Sequence, residues 1–144
     1  MIELDVGRFL TVFYGTWDPA GNVLRFQSAG HPPLLLASAG GNTEICTAGR
    51  TALLGTSALT PGSDEHELSL QPGDVFAVFT DGLFERRDRQ FDAGLHELGR
   101  IVDEHRSESA QSIADALMRD ASPSTGWDDD VALLVGRRQE RPGG

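Results

Sequence analysis

Two short apolar runs, each joined to an acidic turn, constrain this chain more than any other feature. Val75-Phe76-Ala77-Val78-Phe79 runs into Thr80-Asp81-Gly82, and Asp128-Asp129-Asp130 runs into Val131-Ala132-Leu133-Leu134-Val135. An apolar run of this kind, bounded by turn residues, reads as a buried strand. Each pair therefore sets a carboxylate at the mouth of a strand, facing out of a core. Carboxylates from two strand mouths, far apart in sequence, can meet in space as hard oxygen ligands. Such ligands suit Mg²⁺ or Mn²⁺ rather than zinc, and the chemistry they point to is metal-assisted attack on a phosphoester.

The remaining bounds are consistent with that reading. A chain of 144 residues fits one domain, and at this size roughly 70% of the unfolded surface is buried on folding. The formal net charge of -10 argues against a nucleic-acid groove or an anionic membrane surface, since phosphates are repelled. It leaves a phosphorylated substrate open, because a bound divalent cation reverses the local sign. No apolar stretch approaches the ~18 residues of a membrane span. The N-terminus, Met1-Ile2-Glu3-Leu4-Asp5, lacks the basic and apolar regions of a signal peptide. The single Cys46 excludes an internal disulfide and fits a reducing cytosol. The expected location is cytoplasmic.

Along the chain the pattern begins with period two. Phe9 to Trp17 and Val23 to Ser28 read as a hairpin turned by Asp18-Pro19-Ala20-Gly21-Asn22. Leu34-Leu35-Leu36 and Thr43 to Thr47 make a second around Ala39-Gly40-Gly41-Asn42. Glu65 to Leu70 and Asp74 to Phe79 read as a third, turned by Gln71-Pro72-Gly73, with Glu65, Glu67 and Ser69 on its wet face. The period then becomes helical. Leu95, Leu98, Ile101 and Val102 form one packing stripe; Ala110, Ile113, Ala114, Leu117 and Met118 form another. Ser107 or Ser109 caps the second helix and Pro123 follows its end. Val131 to Val135 is the last strand, and residues 137–144 read as a flexible tail. Antiparallel strands, two helices and a closing strand make an α+β arrangement, helices on sheet.

These residues resemble a family. Phe9 to Gly15, Ser28-Ala29-Gly30-His31-Pro32-Pro33, Leu54-Gly55, Leu70-Gln71-Pro72-Gly73-Asp74, Phe79-Thr80-Asp81-Gly82-Leu83-Phe84-Glu85 and Asp129-Asp130-Val131 follow one another as in the SpoIIE-like class of metal-dependent (PPM-type) protein serine/threonine phosphatases. The resemblance runs from about Arg8 to Gly136. It implies an antiparallel β-sandwich flanked by helices, with domain bounds of 1–136. It implies a site of two Mn²⁺ or Mg²⁺ ions bridged by water, which attacks phosphoserine or phosphothreonine in line. By the match, Asp81 and Gly82 are the metal-binding Asp-Gly after the core strand. Asp129 is the first Asp of the late Asp-Asp pair, and Asp130 shapes the turn or holds a metal-bound water. Asp128 has no fixed counterpart.

The sequence also departs from the family. A full domain starts earlier, with a strand-borne Asp, an Asp-x-x-Gly-His-Gly-like turn and a long helix. Nothing here matches them; Asp5-Val6-Gly7 has the look of their start but no such turn or helix after it. The resemblance thus implies the C-terminal half to two-thirds of an N-terminally truncated domain. Two isolated carboxylates hold a hard cation weakly, and missing elements leave edges and apolar faces uncovered. The expectation is a chain that is catalytically weak or dead alone and that associates, as a homodimer or with the missing N-terminal segment.

Other candidates read as structural. His31 sits in a rigid Gly-His-Pro-Pro turn, where a backbone bond is a better account than a general acid. Gly55, in Ala52 to Ser57, reads as a turn glycine, although relatives carry a regulatory switch near that segment. His66, His96 and His105 have no Cys or His partner at metal spacing, and Trp127 reads as core packing. Ser28, Ser57 and Ser63 lack a nucleophile-elbow context. The function expected is a phosphatase acting on a phosphorylated regulatory protein such as an anti-sigma-factor antagonist. The alternative is a truncated, inactive interaction module of a partner-switching signalling pathway.

Overall fold

The computed structural model describes residues 11–51, 65–87 and 89–140. The expectations that rest on Asp5, Phe9, Leu10, Leu54, Gly55, Ser57 and Ser63, and on residues 141–144 of the expected tail, concern residues outside those described. The chain divides into two compact units.

The first unit holds β1 (Val12–Asp18), β2 (Val23–Ala29), β5 (Arg50–Thr51) and β6 (His66–Ser69). β1 and β2 form the expected hairpin, in register from Val12 opposite Ala29 to Asp18 opposite Val23. Its turn follows from local chemistry: Asp18 Oδ1 accepts from the Ala20 amide at 2.9 Å, and Asn22 takes the left-handed φ of 57°. β2 alternates, burying Leu24, Phe26 and Ser28 and leaving Val23, Arg25 and Gln27 half-buried. Phe26 anchors this unit, stacked on Phe13 at 5.3 Å and edge-on to His66 at 5.4 Å. β6 pairs antiparallel with β2, and the short β5 pairs parallel with it. His31 is buried, with Nδ1 3.1 Å from the Pro32 carbonyl, the backbone bond expected of it.

The second unit holds β3 (Leu34–Ala37), β4 (Thr43–Cys46), β7 (Val75–Phe79), α1 (Phe91–His105), α2 (Ala110–Asp120) and β8 (Leu133–Arg137). Its sheet runs β4-β3-β7-β8, all antiparallel. β7 is central, which is why its sequence is apolar without alternation. The core gathers Leu35, Ala37, Val75, Ala77 and Phe79 from the sheet. Leu95, Leu98, Ile101 and Val102 join them from α1, and Ile113, Ala116 and Leu117 from α2. Ser109 caps α2, its Oγ accepting from the Ser112 amide at 3.1 Å.

Three expectations need correction. β6 and β7 do not form a hairpin; β6 joins β2 in one sheet and β7 joins β3 and β8 in the other. The Gln71–Asp74 turn forms as its residues require, with the Asp74 amide 3.0 Å from the Gln71 carbonyl. Turn chemistry sets a reversal, however, and which strand is met afterwards is decided by packing far along the chain. Met118 is exposed and Ala116 takes the buried place on α2, because the stripe drifts around the helix. β8 starts at Leu133 and runs through Arg137 rather than covering Val131 to Val135. Arg138 remains tied beyond it: its amide donates to the Asp74 carbonyl at 2.9 Å, and its carbonyl accepts from Gly73 at 2.8 Å.

Among the described residues no helix is long and apolar enough to cross a membrane. The fold class is the one the sequence implies: two largely antiparallel sheets with two helices.

Candidate functional site

The two acidic turns meet. β7 and β8 are adjacent, with Phe79 opposite Leu133. The pairing is extended past their ends by Thr80, whose amide donates to the Ala132 carbonyl at 3.0 Å. The Thr80 hydroxyl then works both ways. It accepts from the Ala132 amide at 2.9 Å and donates to the Asp130 carbonyl at 3.2 Å. One side chain so fixes where the Asp128–Asp130 run lies relative to Asp81.

Asp81 opens a 3-10 turn, Asp81–Leu83, in which its carbonyl accepts from the Phe84 and Glu85 amides at 3.0 and 2.8 Å. Leu83 and Phe84, fully buried, root the turn in the core, so Asp81 is aimed by packing beneath it. Gly82 is required by close approach. A Cβ there would lie 2.4 Å from the Asp130 carbonyl oxygen and 3.3 Å from that of Asp129. No side chain larger than hydrogen lets the two turns touch in this way.

Asp81, Gly82, Asp128 and Asp129 line one open cleft of about 280 Å³ together with Glu85, Arg86 and Arg87. Asp130 lines a second depression instead, with Met118, Trp127 and Val131; Asp128 and Asp129 line both. Of the predicted set, Asp81, Gly82 and Asp129 thus share a cleft. Asp130 joins through its backbone, against Gly82 and Thr80. The Asp129 carboxylate accepts from the Asp130 amide at 2.7 Å, which stiffens the run. Trp127 packs half-buried on the core, as read from the sequence.

In kind, the donors fit a hard divalent cation, being carboxylate and carbonyl oxygens without sulfur or imidazole. In number they are few: among the described residues no group of three or more His, Cys, Asp or Glu side chains is arranged to hold a metal ion. Sequence reading passed over Thr80 as a clamp and Arg86 and Arg87 as basic lining of the cleft. The signal for the arginines was present, since Arg86, Arg87 and Arg89 are three of only 12 basic residues in an acidic chain.

Known proteins resemble this chain in sequence and in fold. The model of the family described as Stage II sporulation protein E (SpoIIE) matches residues 1–139. The phosphoserine phosphatase RsbU of Bacillus subtilis is 28% identical over 141 residues, covering 95% of this chain and 41% of RsbU. The chain so spans about two-fifths of that relative's length. Among solved structures, the RsbU and RsbW domains of Rv1364c from Mycobacterium tuberculosis superpose with a TM-score of 0.74 at 29% identity. That match covers 92% of this chain and 38% of the other. The Mn-presoaked phosphatase domain of SpoIIE from Bacillus subtilis gives a TM-score of 0.71 at 19% identity, over 93% of this chain and 59% of that one, a likeness of fold. Since the family match runs through every element from β1 to β8, the chain belongs to the SpoIIE family of PPM-type phosphatase domains.

Proposed function

We propose that this chain takes part in hydrolysing phosphoserine or phosphothreonine on a regulatory protein, using a divalent metal held at the Asp81–Asp129 cleft. The observation that carries the reading is the convergence of two acidic turns on one cleft, locked by Thr80 and by the bare Cα of Gly82. Asp81 and Asp129 would hold Mn²⁺ or Mg²⁺, with Gly82 and Asp130 shaping the turn around it. A cation bound there supplies charge to the phosphoryl oxygens and acidifies a bound water. The chain's own part is to present these oxygens on a rigid base. Thr80 keeps the two turns in register, and Leu83 and Phe84 hold Asp81 from below. By analogy with the phosphoserine phosphatase RsbU, the substrate class is a phosphorylated cytoplasmic regulator, such as an anti-sigma-factor antagonist.

The test is turnover of an aryl phosphate with and without Mn²⁺, beside Mn²⁺ binding followed by electron paramagnetic resonance. The expected result is slow Mn²⁺-dependent hydrolysis, in keeping with the few ligands present among the described residues, that Asp81→Asn and Asp129→Asn abolish, with weakened binding in both. The small ligand count among the described residues favours a second reading, a non-catalytic module of a partner-switching pathway. Folded protein that neither binds Mn²⁺ nor turns over substrate supports that reading and removes the first.

A further inference from the structure

Three arginines follow the Asp81–Leu83 turn, and their fates differ. Arg86 points a guanidinium nitrogen at the Ala121 carbonyl, at the C-terminal end of α2. Arg89 donates to the Phe84 carbonyl at 3.4 Å. Arg86 thereby ties the segment after β7 to α2, whereas the Arg89 bond stays within that segment and leaves the buried Arg89 Nε without a partner among the described residues. Arg87 is exposed, lines the cleft, and has no hydrogen bond or ion pair with any described residue. That it has no such partner among the described residues is the more informative because Asp81, Glu85, Asp128 and Asp129 line the same cleft. An arginine among carboxylates ordinarily closes a fork on one of them.

We propose that Arg87 is the substrate-positioning residue of this cleft, reserved for the phosphoryl group of a phosphomonoester. The proposal rests on the phosphatase reading of the same site and names the group that recognises the substrate. The cleft lining mixes four carboxylates, Asp81, Glu85, Asp128 and Asp129, with two arginines. The carboxylates suit a cation, and a cation held by them and the Arg87 guanidinium would both attract a phosphoryl group in the cleft. A planar guanidinium offers paired N–H donors at the spacing of two phosphate oxygens. A protein of net charge -10 repels a phosphate dianion at long range, so a local cation on the approach side has a clear task. Arg86 lines the cleft as well, but its bond to Ala121 holds it in place as a structural post.

The experiment compares wild type with Arg87→Ala and Arg87→Lys, with Arg119→Ala as a control outside the cleft, where Arg119 pairs with Asp120 at 2.8 Å. A phosphoseryl peptide is the substrate and inorganic phosphate the inhibitor. In Arg87→Ala the KM and the inhibition constant of phosphate both rise about tenfold, the scale of one charge-assisted contact, while kcat changes less than about twofold. Arg87→Lys recovers part of the loss, since it restores charge without the fork. Phosphate binding is read separately by ³¹P NMR titration of the Mg²⁺-loaded protein, which needs no turnover. Binding weakened in Arg87→Ala upholds the proposal even in a chain that proves inactive, a result that would count only against the phosphatase reading. Unchanged phosphate binding and KM in Arg87→Ala, or no phosphate binding by the wild type, overturns it.

Discussion

The two ends of β7 carry an aspartate each, and they are opposites. Asp74, just before the strand, is 5% exposed and bonded on both oxygens: Oδ1 accepts from the Ala39 amide at 2.8 Å and Oδ2 from the Gln71 amide at 2.7 Å. It ties the turn before β7 to the turn after β3. Asp81, just past the strand, is exposed, and its carboxylate makes no hydrogen bond or ion pair with any described residue. Both stand at the mouth of the same apolar run, and composition alone does not separate them. What separates them is where their lone pairs go. A carboxylate with both oxygens bonded by backbone is a structural part; one held rigidly from beneath with its acceptors open is available to a ligand.

This contrast is broken most sharply by exchanging the roles in mutants. Asp81→Asn is expected to lower Mn²⁺-dependent turnover by at least about 100-fold, roughly 2.7 kcal/mol of barrier, with the urea midpoint unchanged. Asp74→Ala is expected to do the reverse. It strands two amides that the carboxylate now satisfies, and the loss of stability is about 2 kcal/mol, read by urea denaturation. Activity per folded molecule stays near that of wild type. If Asp81→Asn destabilises and Asp74→Ala does not, the assignment of structural and open ends is wrong.

A smaller effect sharpens the open end. Gly82→Ala places a methyl 2.4 Å from the Asp130 carbonyl oxygen, and that atom is backbone, so the turns must part. The expected outcome is a stability loss of about 1–2 kcal/mol from overpacking, together with reduced turnover, because Asp81 and Asp129 move apart. Kinetics and denaturation on the same sample check both. Intact activity in this variant would mean that the close approach of the two turns is not needed to hold the site.

How much of this was legible in the sequence depended on the range of the cause. The β1–β2 hairpin was legible because Asp18 and Asn22 dictate the reversal within five residues. The two helices were legible from Leu95, Leu98, Ile101 and from Ile113 and Leu117, whose spacing is a local property. That Asp81 and Asp129 can meet was legible in two apolar runs that each join an acidic turn, but the pairing of β7 with β8 that brings them to one cleft is set by packing. The pairing of β6 with β2 was not legible, because Gln71-Pro72-Gly73 reverses the chain whether or not the next strand stays in the sheet. Thr80 as the clamp was equally hidden: a threonine before an Asp-Gly turn has no local mark of bonding to Asp130 and Ala132. Arg87 left a composition signal, but its difference from Arg86 exists only once Ala121 is brought near.

A third class of carboxylate sets the scale at the weak end of the comparison. Glu97 on α1 accepts from Arg100 at 2.8 Å, one turn along, and Arg100 also reaches Glu104. The Arg100 hydrogen bond, opposed by partial burial, holds the Glu97 carboxyl below its ordinary value of 4.5. Its folded value is depressed, so the pair stabilises the helix above the ordinary carboxylate range. The contribution is lost as pH falls from about 4.5 through the folded value. The Glu97 side chain is 35% exposed, so solvent screens the pair and its worth is about 0.3 kcal/mol. Glu97→Gln should therefore lower the urea midpoint slightly at pH 7 and low salt, and the difference should shrink in 1 M salt and again near pH 3. An effect as large as that of Asp74→Ala, or one that ignores salt, would mean that an exposed side-chain partner anchors a carboxylate as firmly as buried backbone amides do. The distinction drawn between Asp74 and Asp81 would then lose its basis, because pairing of any kind, rather than bonding of both oxygens by the backbone, would be what marks a structural acid in this fold.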